Sequence, residues 1–184
     1  MAAEATERHA SQGMVRAAFR ELHGPRLHGF ALLLTLGNRP FAARLAADAL
    51  TDGADRAGEL RHPERAAAWL RSRIVHAARG PRWPGGRKAV ELSEGLMQLG
   101  VGEVALRGLS ALGTRERAAV IASDIERLDP LDVAVVLDAS PSRARRITTD
   151  ARRQYLRAAT PASPPETPGP LAMRILDAAH RAIS

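Results

Sequence analysis

The sequence predicts an all-α fold built from two small helical domains. Apolar residues recur at helical spacing, and segments that alternate apolar and polar residues, as half-buried strands do, are missing. Two stretches rich in proline and glycine divide the chain: Gly80 to Gly86, and Thr160 to Pro170, where five of eleven residues are proline. At 184 residues the chain is long enough for one medium domain or two small ones.

These breaks predict six segments. They are an N-terminal tail (1–13), a helical bundle (14–83), a linker (84–103), a helix-turn-helix domain (104–159), a proline-rich linker (160–170) and a C-terminal amphipathic helix (171–184). A helix of fourteen residues is marginal alone, so we expect the last segment to dock on another surface. That surface belongs either to its own chain or to a partner.

The first block, 14–83, predicts four helices. The apolar pattern gives one through Phe19 and Leu22 and a second from Leu27 to Leu36, ended by Gly37 and Asn38. A third runs from about Pro40 to Leu50 and a fourth from Pro63 through Trp69 to Ala78, each with proline in its first turn. Short loops between consecutive helices predict antiparallel packing into a bundle.

The second block, 104–159, contains a helix-turn-helix pattern. A short apolar helix over Leu131 to Leu137 precedes a three-residue turn that begins at Asp138, a residue type that tolerates left-handed backbone. Ser140 suits the N-cap of the next helix, and Pro141 suits its first turn. In helix-turn-helix proteins the second helix lies in the major groove of DNA.

The second helix of this pattern separates into two faces. Four residues at spacings of three and four are predicted to pack inward: Ala144, Ile147, Ala151 and Tyr155. The predicted outward, DNA-binding residues are Ser142, Arg143, Arg145, Arg146, Thr149, Arg152 and Arg153. We expect Arg143 and Arg146 to meet base edges, and Arg152 and Arg153 to meet the DNA backbone. The alternative is an ordinary solvated basic helix.

Composition is consistent with a phosphate-bearing partner. The chain has 27 basic and 20 acidic residues, a net charge of +7, and 26 of the basic residues are arginine. A GC-rich genome would also enrich arginine, so composition leaves both interpretations open. Cysteine is absent, which excludes disulfides, thiolate zinc sites and cysteine nucleophiles. No metal set, cofactor loop or catalytic motif is found. We therefore expect a cytoplasmic protein that is not an enzyme and needs no cofactor, membrane or small-molecule substrate.

The second block also contains the run Leu112-Gly113-Thr114-Arg115-Glu116-Arg117 ahead of the helix-turn-helix pattern. This run is similar to the sequence "L-P-x-R-x-R" that opens region 4 of bacterial sigma factors of the extracytoplasmic-function type, and the second block resembles that region. Leu131 to Ser140, followed by Pro141 to Arg146, is similar to the family's "E-I-A-x-x-L-G-I-S-x-x-T-V-K-S-R". The resemblance implies that the second helix recognises the minus-35 element of promoter DNA.

The first block resembles region 2 of the same family. Leu22 to Ala31 is similar to its first helix, and Ala68-Trp69-Leu70 is similar to its "A-W-L" motif. The resemblance implies binding to the RNA polymerase core and capture of the melted minus-10 strand. It also implies that the helix carrying the second motif faces promoter DNA with Arg71, Arg73, His76 and Arg79. The family is commonly held inactive by an anti-sigma protein, so that partner is implied as well.

One stretch differs from the family at its polymerase-binding surface. Where the family has an acidic pair and a glutamine, this chain has Ala43, Arg44 and Ala47, while Asp48 keeps its charge. By resemblance the polymerase-binding residues are Arg44, Leu45 and Asp48. Two hypotheses follow: a sigma factor that directs RNA polymerase to promoters, or a sigma-like DNA-binding or protein-interaction regulator that has lost polymerase core binding.

Overall fold

The computed structural model describes residues 2–56, 62–79, 96 and 100–160. In these ranges the chain forms seven α-helices and one π-helical segment without any strand, which confirms the all-α prediction. None of the helices in these ranges is long and apolar enough to cross a membrane. The proline-rich linker beyond Thr160 and the predicted C-terminal helix lie outside the described residues.

The first helix, α1, spans Ala2–Leu34 and corrects the prediction of two separate helices. Pro25 lies inside it, where proline removes a backbone donor and costs about 3 kcal/mol. Burial of apolar side chains on both sides of Pro25 offsets this cost, because Phe19 packs against the core and Leu27 and Phe30 are 1% exposed. Each fully buried side chain of this size contributes roughly 1.5–3 kcal/mol. The apolar face therefore continues through the proline.

Helix α1 ends where the sequence predicts an end. Leu36 and Gly37 both have positive φ, at 52° and 86°, and the Gly37 amide donates to the Leu32 carbonyl at 2.9 Å. Helix α2, Arg39–Asp55, follows at once, and the Asn38 side chain caps it by accepting from the Phe41 amide at 3.1 Å. Helix α3 spans Pro63–Ala78, as predicted.

The second block contains the order of helix, short turn and helix that the sequence predicts. Helix α4 spans Glu103–Ser110, and α5, Thr114–Val120, continues as a π-helical segment, Ile121–Ile125. Helices α6, Pro130–Val136, and α7, Pro141–Ala159, form the motif.

The turn between α6 and α7 has the conformation that the sequence predicts. Asp138 has a φ of 47°, in the left-handed region. The Ser140 hydroxyl accepts from the Arg143 amide at 3.4 Å, and Pro141 occupies the first turn of α7. The predicted cap and turn residues are therefore confirmed.

The two blocks share one hydrophobic core in the described part of the chain. A continuous cluster of buried residues includes Phe30 and Leu70 from the first block and Ile121 and Leu137 from the second. Helix α3 packs directly against α6. The sequence predicts two domains because proline and glycine separate the blocks, but such residues mark a loop and do not determine whether its flanks are in contact.

Arg117 joins the two blocks. Its guanidinium is buried and donates to the carbonyls of Leu34, Leu109 and Leu112 at 2.7, 2.9 and 2.7 Å. These carbonyls lie at or just beyond the C-terminal ends of α1 and α4, where the helix dipole favours a cation. Burial lowers the pKa of Arg117 to about 10, so it stays charged at neutral pH.

Candidate nucleic-acid interface

Helix α7 presents one buried and one exposed face. Ala144, Ala151 and Tyr155 are buried and Ile147 is half-buried, which confirms the predicted inward face. Thr148 is also buried and donates to the Ala144 carbonyl at 3.0 Å. The predicted outward residues are all exposed: Ser142, Arg143, Arg145, Arg146, Thr149, Arg152 and Arg153.

The N-terminal half of α7 carries three exposed arginines that have no ion-pair partner among the described residues. No other described residue forms a hydrogen bond or ion pair with the side chains of Arg143, Arg145 or Arg146. The first turn of α7 holds no acidic residue, although the helix dipole favours negative charge there. These arginines therefore gain nothing from their own helix and are available to an external anion.

The C-terminal half of α7 is different, because its two predicted DNA-binding arginines are paired. Arg152 donates to both carboxylate oxygens of Asp124, with nitrogen–oxygen distances of 2.6 to 3.0 Å. The hydrogen bond with Asp124 raises the pKa of Arg152. Arg153 pairs with Asp150 on the same helix. The role of Asp124 could not be predicted from the sequence, since this residue lies 28 residues before Arg152.

Contacts from α4 and α5 fix the orientation of α7. The Gly108 backbone lies so close to the Tyr155 ring that a Cβ atom at position 108 would overlap it. The Gln154 side chain donates to the Ala111 carbonyl at 2.7 Å. Arg115 donates to the carbonyls of Leu137 and Asp138, at 2.8 and 3.3 Å, and so holds the turn between α6 and α7.

The position of Arg71 in the structure corrects the expectation that this residue faces DNA. The residue is 4% exposed, and its guanidinium donates to both carboxylate oxygens of Glu126, at 2.5 and 2.7 Å. It also donates to the Ala67 carbonyl at 2.8 Å and lies 5.7 Å from the centroid of the Phe30 ring. Glu126 follows the π-helical segment of the second block, so Arg71 forms part of the packing between the blocks.

The other three predicted residues of α3 are exposed, but they lie in different surroundings. Arg73 pairs with Asp52 of α2 at 3.0 Å, and its guanidinium lies 5.9 Å from the centroid of the Trp69 ring. His76 is exposed on the last turn. Burial, followed by the charge of Arg115, lowers the pKa of Arg79, and the carboxylate of Asp138 acts in the opposite direction. The C-terminal end of α3 therefore lies near the turn between α6 and α7.

The predicted polymerase-binding residues divide between surface and core. Arg44 is exposed, with its guanidinium 5.0 Å from the centroid of the Phe41 ring, and Asp48 is exposed too. Leu45 is only 3% exposed, because it lies on the same apolar face of α2 as Ala42 and Ala49. The prediction that Leu45 binds polymerase is therefore wrong. A direct contact between the Leu45 side chain and another protein is excluded in this structure.

The described residues contain no group of three histidine, cysteine, aspartate or glutamate side chains that could hold a metal ion. Comparisons with models of known protein families, with curated proteins and with solved structures find no match. The chemistry available at the exposed face of α7 is multiple hydrogen-bond donation from fixed positive charges. Such a surface suits the phosphates and base edges of nucleic acid.

Proposed function

We propose that this chain is a DNA-binding transcription factor of the sigma type, in which α7 enters the major groove of duplex promoter DNA. One observation carries the proposal. The second helix of a helix-turn-helix exposes Arg143, Arg145 and Arg146 in its first two turns, and no described residue pairs with them. In helix-turn-helix proteins the N-terminal residues of this helix contact base edges.

The positions of the three arginines around α7 assign them different contacts. Arg146 lies opposite the buried Ala144 and Ala151, so it points furthest from the core. We assign Arg146 to a base edge, with Arg143 as its neighbour, because a guanidinium can donate two hydrogen bonds to one guanine. Arg145 lies on the flank that faces α6 and is better placed for a phosphate.

Initiation by a sigma factor requires further contacts from the first block. In this proposal the exposed side chains of Arg73, His76 and Arg79 meet the minus-10 strand, and the exposed face of α2 around Arg44 and Asp48 meets the polymerase core. The resemblance to region 2 supports these assignments. The exposure of all five side chains is compatible with them.

A second candidate is a sigma-like regulator that binds duplex DNA without binding polymerase. The surface of α2 favours it, because Ala43, Arg44 and Ala47 are exposed where the family has two acids and a glutamine. Burial of Arg71 against Glu126 favours it too, since this arginine is not available to a melted strand.

Co-purification of the full chain with core RNA polymerase that lacks its own sigma factor separates the two candidates. A sigma factor binds the core and gives discrete start sites in run-off transcription on genomic fragments. A regulator binds duplex DNA but does not bind the core.

A triple variant provides the converse test. Ala43→Glu combined with Arg44→Asp and Ala47→Gln restores the family's residues on α2. If this variant binds the core and the parent chain does not, initiation by the parent is excluded. Ala18→Glu with Arg20→Asp, at exposed positions of α1, makes the same charge change as a control.

A further inference from the structure

We infer that Asp124 is a positioning residue that withholds Arg152 from DNA, so that of these two neighbouring arginines only Arg153 contacts a phosphate. The inference rests on the proposed function and refines it. The sequence predicts the same role for both arginines, whereas the structure gives them partners of very different strength.

The partner of Arg152 is fixed by another element. Asp124 belongs to the π-helical segment and meets the guanidinium with both carboxylate oxygens, the shortest distance being 2.6 Å. The carboxylate also accepts a hydrogen bond from the Ser123 hydroxyl at 3.2 Å, and its side chain is only 24% exposed. Two-point contact from a partly buried carboxylate gives the pair a defined geometry. A phosphate would have to displace a ligand that is already in place.

The partner of Arg153 offers much less resistance. Asp150 lies three residues earlier on the same helix, and the two side chains are 57% and 64% exposed. Exposed pairs of this kind are screened by solvent and contribute little to stability. A DNA phosphate can therefore replace Asp150 with little loss.

The ion pair with Asp124 gives Arg152 a structural role. Its pair with Asp124 connects α7 to the π-helical segment, in addition to the contacts that α7 makes with α4 and α5. This connection holds the C-terminal half of α7 at a set angle to the rest of the motif. The exposed arginines of the N-terminal half then determine how far the helix enters the groove.

The salt dependence of duplex binding tests the inference, because each phosphate contact adds about 0.9 to the slope of log affinity against log salt concentration. Arg153→Gln should flatten the slope by about that amount. Arg152→Gln at the neighbouring position should leave the slope of the parent chain unchanged. If Arg152 only holds α7 in position, Arg152→Gln lowers the affinity by the same factor at every salt concentration.

Removal of the Asp124 charge should convert Arg152 into a phosphate contact. Asp124→Asn is expected to raise affinity at low salt and to steepen the slope by about 0.9. Adding Arg152→Gln to this variant should cancel the gain in slope. Glu21→Gln, at an exposed position on α1, makes the same change in net charge and should leave the slope unaltered.

Two results would overturn the inference while leaving the proposed function intact. One is a flatter slope for Arg152→Gln, equal to that of Arg153→Gln. The other is an unchanged slope for a folded Asp124→Asn variant that still binds duplex. Circular dichroism verifies folding, and if Asp124→Asn does not fold, the comparison of Arg152→Gln with Arg153→Gln decides. Absence of duplex binding by the parent chain would overturn the proposed function and the inference together.

Discussion

Arg117 and Arg146 carry the same side chain and have opposite surroundings. Arg117 is buried and donates to three backbone carbonyls, while no described residue pairs with Arg146 at the surface. Arg71 has a third environment, a buried ion pair with Glu126 that lies 55 residues away in sequence. A buried guanidinium needs such partners, because an unpaired buried charge is costly. A partner so distant in sequence is the reason that the family resemblance placed Arg71 on a DNA-facing surface.

His23 should make the stability of the fold depend on pH. The side chain is buried and its ring lies 4.6 Å from that of Phe19. Burial, and then the positive charge of Arg71, lowers the pKa of His23 below its ordinary value of 6.5. The neutral form is therefore favoured in the folded state. Its contribution to stability is complete above pH 6.5 and is lost as the pH falls below 6.5 toward the folded pKa.

Chemical denaturation at pH 7.5 and pH 5.5 measures this dependence. We expect the free energy of unfolding to fall on acidification, and His23→Gln to reduce that fall. His62→Gln removes an exposed imidazole and serves as the control. An equal fall in the parent and in His23→Gln would mean that His23 does not contribute.

At the scale of elements, the helix ends were more predictable than the helix interiors. Asn38, Asp138 and Ser140 each act through their own side chain or backbone, so their short-range roles are visible in the sequence. The continuity of α1 through Pro25 depends on burial against other helices, which the local sequence does not contain. The π-helical segment at Ile121–Ile125 has no residue signature of its own, and it was not predicted.

Asp138 should be replaceable by glycine with a gain in stability. Its φ of 47° strains a residue with a Cβ atom, and its amide and that of Ala139 close the end of α6 by donating to Val135 and Ala134. Asp138→Gly is expected to raise the free energy of unfolding by about 0.5–1 kcal/mol, whereas Asp138→Val should lower it by more than that.

Asp138→Asn is the control for charge, since asparagine tolerates the same backbone and lacks the carboxylate near Arg79. Thermal or urea unfolding measures all three variants. A gain for Asp138→Asn as large as that for Asp138→Gly would attribute the effect to charge and contradict the backbone explanation.

At the scale of the whole molecule, the shared core should make the two blocks unfold together. Arg117 is central to this, because it connects the end of α1 with the end of α4. Arg117→Met removes one donor from each of the three carbonyls, and we expect the free energy of unfolding to fall by about 3 kcal/mol or more. Hydrogen exchange should then increase in α1 to α3 and in α4 to α7 alike.

Arg107→Met removes an exposed arginine that pairs with Glu103, and it should leave exchange close to that of the parent chain. An increase confined to one block in Arg117→Met would show that the blocks unfold independently. That result would restore the two-domain arrangement that the sequence predicts.

The exposed face of α7 could be predicted from the sequence because a helix with a strong apolar stripe fixes which residues lie outside. The sequence could not show which of its arginines are paired, because Asp124, the partner of Arg152, belongs to another element. The same limit applies to Leu45, whose burial is determined by the helices packed against α2.

Selection of duplex DNA from a random pool tests the central claim, that α7 reads sequence, most directly. The full chain should enrich a discrete motif. Arg146→Ala should lose the preference at one or two base pairs of that motif, at a cost of about 1–3 kcal/mol, and should retain binding to other sequences. Arg20→Ala, on the exposed surface of α1, should keep the motif unchanged. Enrichment of no motif, or an equal loss of affinity on every sequence for Arg146→Ala, would contradict sequence reading by α7.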